Sequence, residues 1–242
     1  QLAAVSGDER VVKLWDVATG QEVRTLRGHT AAVTAVTYSP DGAQLATAAA
    51  EGDRPGGPAE VRIWNVTTGA ELVRFPAHRN AVTCLAYSPD GRRLATTGHD
   101  KTARLWDPAT GQELRVLSGH DSAVSSIAFS PDGKLLATGG YSDRTVRLWD
   151  AATGNELRQV PVPLGLATVA FSPDSRRLAA ANQDTVQLWD VTTGLEALTL
   201  RGLTLHRPEN LAHRARVAFS ADGRRIAATN WDHSISVWNT SP

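Results

Sequence analysis

The chain has 242 residues, 41% of them hydrophobic and 21% charged, which is enough apolar material for a packed core and excludes a disordered or collagen-like polymer. Lys plus Arg and Asp plus Glu number 25 each, so no net field gathers nucleic acid or an anionic membrane surface. Cys84 is the sole cysteine, no apolar run approaches the ~18 residues of a membrane span, and the first residues lack a signal-peptide pattern; a protein of a reducing compartment, the cytoplasm, is expected.

In chain order, Leu2-Ala3-Ala4-Val5 already reads as the middle of a repeat, and the chain contains no Met, so Gln1 is not expected to be the natural start. Trp15 then closes an alternating apolar run and is followed by Asp16. The same event recurs at Trp64, Trp106, Trp149, Trp189 and Trp238, each followed by Asp or Asn, at gaps of 49, 42, 43, 40 and 49 residues. A period of roughly 40 to 45 residues means stacked supersecondary units, none of which buries its own faces.

Residues 79 to 120 are the cleanest copy. Val82 to Tyr87 is an apolar inner strand, and within it Cys84 reads as a buried small hydrophobe. Ser88-Pro89-Asp90-Gly91 is turn chemistry, with Pro presetting φ, Asp bonding nearby backbone and Gly accepting positive φ. A second strand, Arg93 to Thr97, leads through Gly98-His99-Asp100-Lys101 to a third, Thr102 to Trp106, whose period-two alternation suits a strand packed on both faces. Asp107 to Gly111 turns the chain into an outer strand, Glu113 to Leu117. The inner-strand turn repeats at Ser39, Ser130, Ser172 and Ser220, and the Thr-Gly turn at Thr19, Thr68, Thr153 and Thr193, giving twenty-two strands in all.

On these motifs together, over essentially its whole length, the chain resembles the WD-repeat family of β-propellers. Gly-His precedes the inner strand at Gly28-His29 and Gly119-His120 and relaxes to Ala77-His78; Trp-Asp closes the third strand four times, with Trp64-Asn65 and Trp238-Asn239 as departures. The resemblance implies an all-β propeller in which a His, a strand Ser or Thr, a turn Asp and the Trp form a hydrogen-bonded network. His78, Thr96, Asp100 and Trp106 match it, as do His120, Thr138, Asp143 and Trp149. The unit of Trp189 lacks the His and carries Ala180 near the hydroxyl position, so its network is expected to be incomplete. The units run 1–28 (partial), 29–78, 79–120, 121–163, 164–206 and 207–242 (partial). Six blades are readable, seven are expected in the intact protein, and N-terminal truncation is expected. The regular, Ala- and Arg-rich copies look bacterial in type.

A repeated His, Thr and Asp set suggests a hydrolase triad, but catalysis needs one pocket and this set recurs in successive units next to a Trp. His206, His213 and His233 match no compact metal-ligand spacing, and there is no Gly-rich phosphate loop, so neither metal nor cofactor is expected. Arg92-Arg93, Arg176-Arg177 and Arg224-Arg225 follow equivalent turns and read as a solvated rim balanced by nearby Asp.

Two insertions explain both long Trp gaps. Residues 51–58, including Arg54, separate a second from a third strand, and the segment around His206 and Arg207 joins an outer strand to the next inner one. By resemblance both emerge on the face this family uses to hold partners, and insertions confined to one face mark a binding surface. Trp231 stands outside the repeat pattern in a connection of that face, at the place of His99 and Ser142, with Tyr141 in another such connection. Trp231, His99, Tyr141, Arg54, His206 and Arg207 are therefore the candidate partner-binding residues. The sequence reads as a non-enzymatic protein-interaction scaffold, monomeric when intact, binding protein partners rather than nucleic acid or membrane. The alternatives are a regulatory propeller of a larger bacterial signalling effector, or a small-molecule-binding or enzymatic propeller with a site in its central channel.

Overall fold

The computed structural model describes residues 1–5, 10–50, 59–162, 168–182, 185–201, 216–229 and 234–240. Among them there are twenty-two β-strands and no helix, in two compact units, Gln1–Gly119 and His120–Pro242.

The first unit holds three antiparallel sheets. One has the order β1(Leu2–Val5), β2(Val11–Trp15), β3(Glu22–Arg27). The next is β4(Ala32–Tyr38), β5(Gln44–Ala50), β6(Ala59–Asn65), β7(Glu71–His78), and the third β8(Val82–Tyr87), β9(Leu94–Gly98), β10(Thr102–Trp106), β11(Glu113–Ser118). The second unit repeats the meander with β12(Val124–Phe129), β13(Leu135–Gly140), β14(Thr145–Asp150), β15(Glu156–Pro161), then β16(Thr168–Phe171), β17(Arg177–Ala181), β18(Thr185–Asp190), β19(Glu196–Arg201), and finally β20(Val217–Phe219), β21(Arg225–Thr229), β22(Ile235–Asn239). The strand order expected from sequence is the observed one, with the second strand of the cleanest copy beginning one residue later, at Leu94.

Register explains why the Trp recurs. On every sheet a Leu or Ile of the second strand lies opposite the Trp of the third: Leu2 and Trp15, Leu45 and Trp64, Leu94 and Trp106, Leu136 and Trp149, Leu178 and Trp189, Ile226 and Trp238. Alternation sends the intervening third-strand residues to the other face, so each sheet has two apolar faces. In the first unit Trp64 shares a core with Val12 and Leu14 of the preceding sheet, and Trp106 with Val61, Ile63 and Phe75. The Phe75 and Trp106 rings lie 4.7 Å apart. Trp189 likewise shares a core with Val146 and Leu148 in the second unit.

Three inner strands carry a bulge at a hydroxyl residue, Thr34, Thr83 or Ser125, where the ladder skips a residue. The Thr34 hydroxyl donates to the carbonyl of Val82 on the neighbouring inner strand at 2.9 Å. The bulge corrects one expectation. It shifts the burial phase within β8, so Val82, Leu85 and Tyr87 face inward while Cys84 is only half-buried.

The Ser-Pro-Asp-Gly turns are held by their serine. The buried Ser88 hydroxyl donates to Asp90 at 2.5 Å and accepts the Arg93 N–H at 2.9 Å, and Ser39, Ser130 and Ser172 do the same in their turns. In the turn after the Trp, Gly111 has φ of +74° and its missing side chain leaves room for Phe75, whose Cδ1 would lie 2.8 Å from a Cβ. Gly42 has a similar φ of +69° with nothing within 4 Å. Gly42→Ala is therefore expected to cost about 1 kcal/mol for the left-handed backbone alone. Gly111→Ala is expected to cost at least ~1 kcal/mol more because a buried ring must move. Urea unfolding of the two variants checks the difference.

Candidate functional site

An indole N–H only donates, so a buried Trp needs an acceptor inside the sheet. Thr96, on β9 directly opposite Arg104, provides one: Trp106 Nε1–H donates to Thr96 Oγ1 at 2.9 Å. The same oxygen lies 2.7 Å from His78 Nε2, and His78 Nδ1 lies 2.9 Å from Asp100. An ionised carboxylate only accepts, so Nδ1–H donates to Asp100, Nε2 faces the threonine hydroxyl, and every group in the column has a partner. Asp100 also accepts from the Thr102 hydroxyl at 2.7 Å and the Arg79 N–H at 3.3 Å, which ties two connections at one end of the sheet to its core.

His120, Thr138, Asp143 and Trp149 make the same column in the second unit. Trp149 donates to Thr138 at 2.9 Å, with His120 2.8 Å from Thr138 and 2.6 Å from Asp143. Thr96 and Thr138 are 0% exposed, so no substrate reaches either hydroxyl and the resemblance to a hydrolase triad ends at residue types.

A third column escaped the sequence reading. Trp64 donates to Thr47 at 2.8 Å, His29 lies 2.7 Å from Thr47, and its Nδ1 meets Glu60 rather than an aspartate, at 3.0 Å. Glu60 stands on β6 just after the 51–58 insertion and is also held by Arg62 Nε at 2.8 Å, while Arg62 Nη1 reaches Glu71 at 2.6 Å. The signal was present: His and Thr are 18 residues apart in all three columns. A second periodic pair was also missed. Arg62–Glu71, Arg104–Glu113 and Arg147–Glu156 bridge third and outer strands nine residues apart, with Gln187–Glu196 as the uncharged copy at 3.1 Å. In the sheet of Trp189, Ala180 offers no hydroxyl; there Asn182 holds the turn by accepting from the Thr185 N–H and hydroxyl, both at 3.0 Å.

Two candidate binding residues lie among the described ones, each between a second and a third strand and each beside a network aspartate. His99 follows β9, its N–H bonded to the Ala81 carbonyl at 3.0 Å. Tyr141 follows β13 in a connection one residue longer, where the side chain stands 43% exposed. Its backbone is pinned: Tyr141 N–H donates to Ala123 at 2.8 Å, and the N–H groups of Ser142 and Asp143 share the Ser122 hydroxyl at 2.9 and 3.1 Å. Trp231, Arg54, His206 and Arg207 lie outside the described residues, as do His213 and His233. A cleft of about 310 Å³ is lined by Ala49, Glu60, Arg74, Phe75 and Pro76 among others.

The model of the WD domain, G-beta repeat, matches residues 20–54, 69–107, 111–150, 164–190 and 212–239. The chain belongs to the WD-repeat family. Four of the matches end one residue past a third-strand Trp, and the match 20–54 stops inside the insertion, which is why Trp64 falls beyond it. No curated protein matches the chain. WD repeats generally mediate protein–protein interaction, and the all-β meander with its His-Thr-Trp columns is this family's blade architecture.

Burial holds the imidazoles of His29 and His120 below their ordinary value of 6.5, against the opposing pull of Glu60 and Asp143. For Asp100, burial works to raise the pKa, but the hydrogen bonds from His78 and Thr102 outweigh it and hold the carboxyl well below the usual carboxylate range. In all three cases the unfolded chain binds protons more readily than the folded one, so stability falls on acidification. The imidazole contribution is lost as pH falls below ~6.5 and the carboxylate contribution below ~4. Thermal melts are expected to show a falling Tm from about pH 7 to about pH 5 and a steeper fall below about pH 4; a flat profile contradicts these columns. Thr96→Val keeps the shape but strands the Trp106 N–H and His78 Nε2, at an expected cost of about 2–4 kcal/mol in urea unfolding.

Proposed function

We propose that this chain is a non-catalytic protein-binding scaffold whose partner is read by the connections between second and third strands, with Tyr141 and His99 among its contacts. The observation that carries this reading is the Tyr141 tip. An aromatic side chain 43% exposed on a backbone fixed by three hydrogen bonds is a contact group whose ordering cost is already met in the free protein. Asp143 binds His120 and thereby anchors that tip to a buried column, so the exposed ring is held by the core of its own sheet. Equal numbers of acidic and basic residues favour a protein partner over nucleic acid. The reading extends to Trp231, Arg54, His206 and Arg207 on the longer connections, and to a cytoplasmic setting consistent with a single cysteine.

A photo-crosslinking side chain at position 141 or 99 is expected to capture the same partner proteins in cells, while one at Lys134, in an inner-strand turn at the other end of its sheet, captures none of them. Tyr141→Ala is expected to weaken that capture at least tenfold without changing the melting temperature. Equal capture from all three positions, or partners indifferent to Tyr141→Ala, contradicts the proposed face.

A further inference from the structure

Left-handed backbone at a residue other than glycine is uncommon, and where it persists another interaction or a function holds it. Among the described residues three such side chains stand at positive φ: Lys101 at +68°, Arg144 at +58° and Ser175 at +61°. Ser175 has a contact that accounts for it, since its hydroxyl accepts the Asp132 N–H of the preceding sheet's turn at 3.1 Å. Lys101 and Arg144 occupy one and the same place in two sheets, directly after the network aspartate in the connection from second to third strand. Their conformation has a local cause. Asp100 accepts the N–H and the hydroxyl of Thr102 at 3.2 and 2.7 Å, and Asp143 those of Thr145 at 3.2 and 3.1 Å, so the residue between is turned back over the carboxylate.

Gly or Asn would meet that backbone more easily, yet the chain carries a long cation there twice. Both side chains are exposed, and among the described residues neither enters an ion pair. The carboxylates of these sheets are already engaged: Asp100 by His78 and Arg104, Glu113 by Arg104, and Asp143 by His120. In the first unit the exposed Arg79 is a second cation outside any described ion pair, and its backbone N–H donates to the same Asp100 at 3.3 Å. Arg79 and Lys101 thus flank one occupied carboxylate, with His99 two residues before Lys101. In the second unit Asp121 holds the place of Arg79, and the exposed Tyr141 stands three residues before Arg144.

We propose that these connections recognise an acidic segment of a protein partner, Lys101 and Arg144 each receiving a carboxylate side chain. The proposal rests on the reading that Tyr141 and His99 meet the partner, and it names the chemistry they meet. Because the turn fixes the base of each cation, part of the ordering cost is met before binding. Single cations beside an aromatic or imidazole side chain, with Asp121 among them, suit carboxylates spaced along a peptide. A nucleic acid backbone would call for a continuous positive field, which a chain of balanced charge lacks. The contacts are solvent-exposed, so they add selectivity more than affinity and weaken with salt.

Fluorescence anisotropy of the full chain with a fluorescein-labelled peptide of alternating Glu and Gly tests this, against the same peptide with Gln for Glu and a single-stranded oligonucleotide of equal charge. At low ionic strength the Glu peptide is expected to bind at least about threefold more tightly than either, two exposed charge pairs supplying the difference. The preference is expected to vanish near 1 M salt, where the Debye length is about 3 Å. Lys101→Asn with Arg144→Asn removes both charges while suiting left-handed backbone, and is expected to abolish the preference with an equal or higher Tm. Lys101→Arg with Arg144→Lys is expected to keep it. A Gln peptide or oligonucleotide bound as tightly as the Glu peptide overturns the proposal. So does a preference that survives the Asn pair; if the Asn pair also lowers the Tm, the cations serve to balance the buried aspartates. Failure of the underlying reading looks different. Partners captured through positions 141 and 99 whose capture survives the Asn pair leave the face standing and overturn its acidic specificity, whereas partners indifferent to Tyr141→Ala overturn the face while the titration still decides the charge preference.

Discussion

A sheet with apolar side chains on both faces has no dry state of its own, and the rest of this structure depends on that constraint. Val12 and Leu14 point to one side of β2 while Trp15 points to the other, and the same division recurs on β6, β10, β14 and β18. Each sheet must lend one face forward and one back. Fully burying a Leu or Val side chain is worth about 1.5–3 kcal/mol, so every junction outweighs any single turn or surface ion pair in deciding whether the array holds. Stability is then close to a sum over neighbours.

Placing a large aromatic at each junction creates a polar problem that the fold solves in one way where it can. The indole N–H must be satisfied in a dry place: the threonine oxygen accepts it, the threonine hydroxyl donates to histidine Nε2, and histidine Nδ1–H donates to a carboxylate. That carboxylate sits where the strands end, so the column also fixes the connections at that end of the sheet. In the sheet of Trp64 the carboxylate is Glu60, held on the strand by His29 and Arg62, so the 51–58 insertion is not required to supply it. In the sheet of Trp189, Ala180 supplies no hydroxyl, and Asn182 just after β17 accepts instead from the N–H and hydroxyl of Thr185 at the start of β18.

Much of this was legible in the chain because it follows from spacing. The strand order and both kinds of turn could be placed from period-two alternation and the turn residues, while the columns of Trp106 and Trp149 were implied by the resemblance to the WD-repeat family. What escaped depended on geometry that spacing hides. Cys84 was assigned to the core by counting alternate residues, but the bulge at Thr83 changes the phase of β8 midway. The column of Trp64 was missed because the insertion widens the Thr-to-Trp spacing to 17, against 10 and 11 in the other two. Its acid is a glutamate reached from a strand, where a turn aspartate was sought. The serine hydroxyls of the Ser-Pro-Asp-Gly turns went unnoticed because turn preference is usually credited to Pro, Asp and Gly, while the buried bonds belong to Ser.

The stacking claim is tested most directly by the same truncation at one register position in two settings. Leu94 and Leu2 both lie opposite a third-strand Trp, yet Leu94 is 0% exposed and Leu2 is 58% exposed. Urea unfolding at low protein concentration is predicted to show that Leu94→Ala costs about 2–5 kcal/mol, while Leu2→Ala costs less than about 1 kcal/mol. Equal costs at the two positions would mean that burial against the neighbouring sheet does not hold these sheets together.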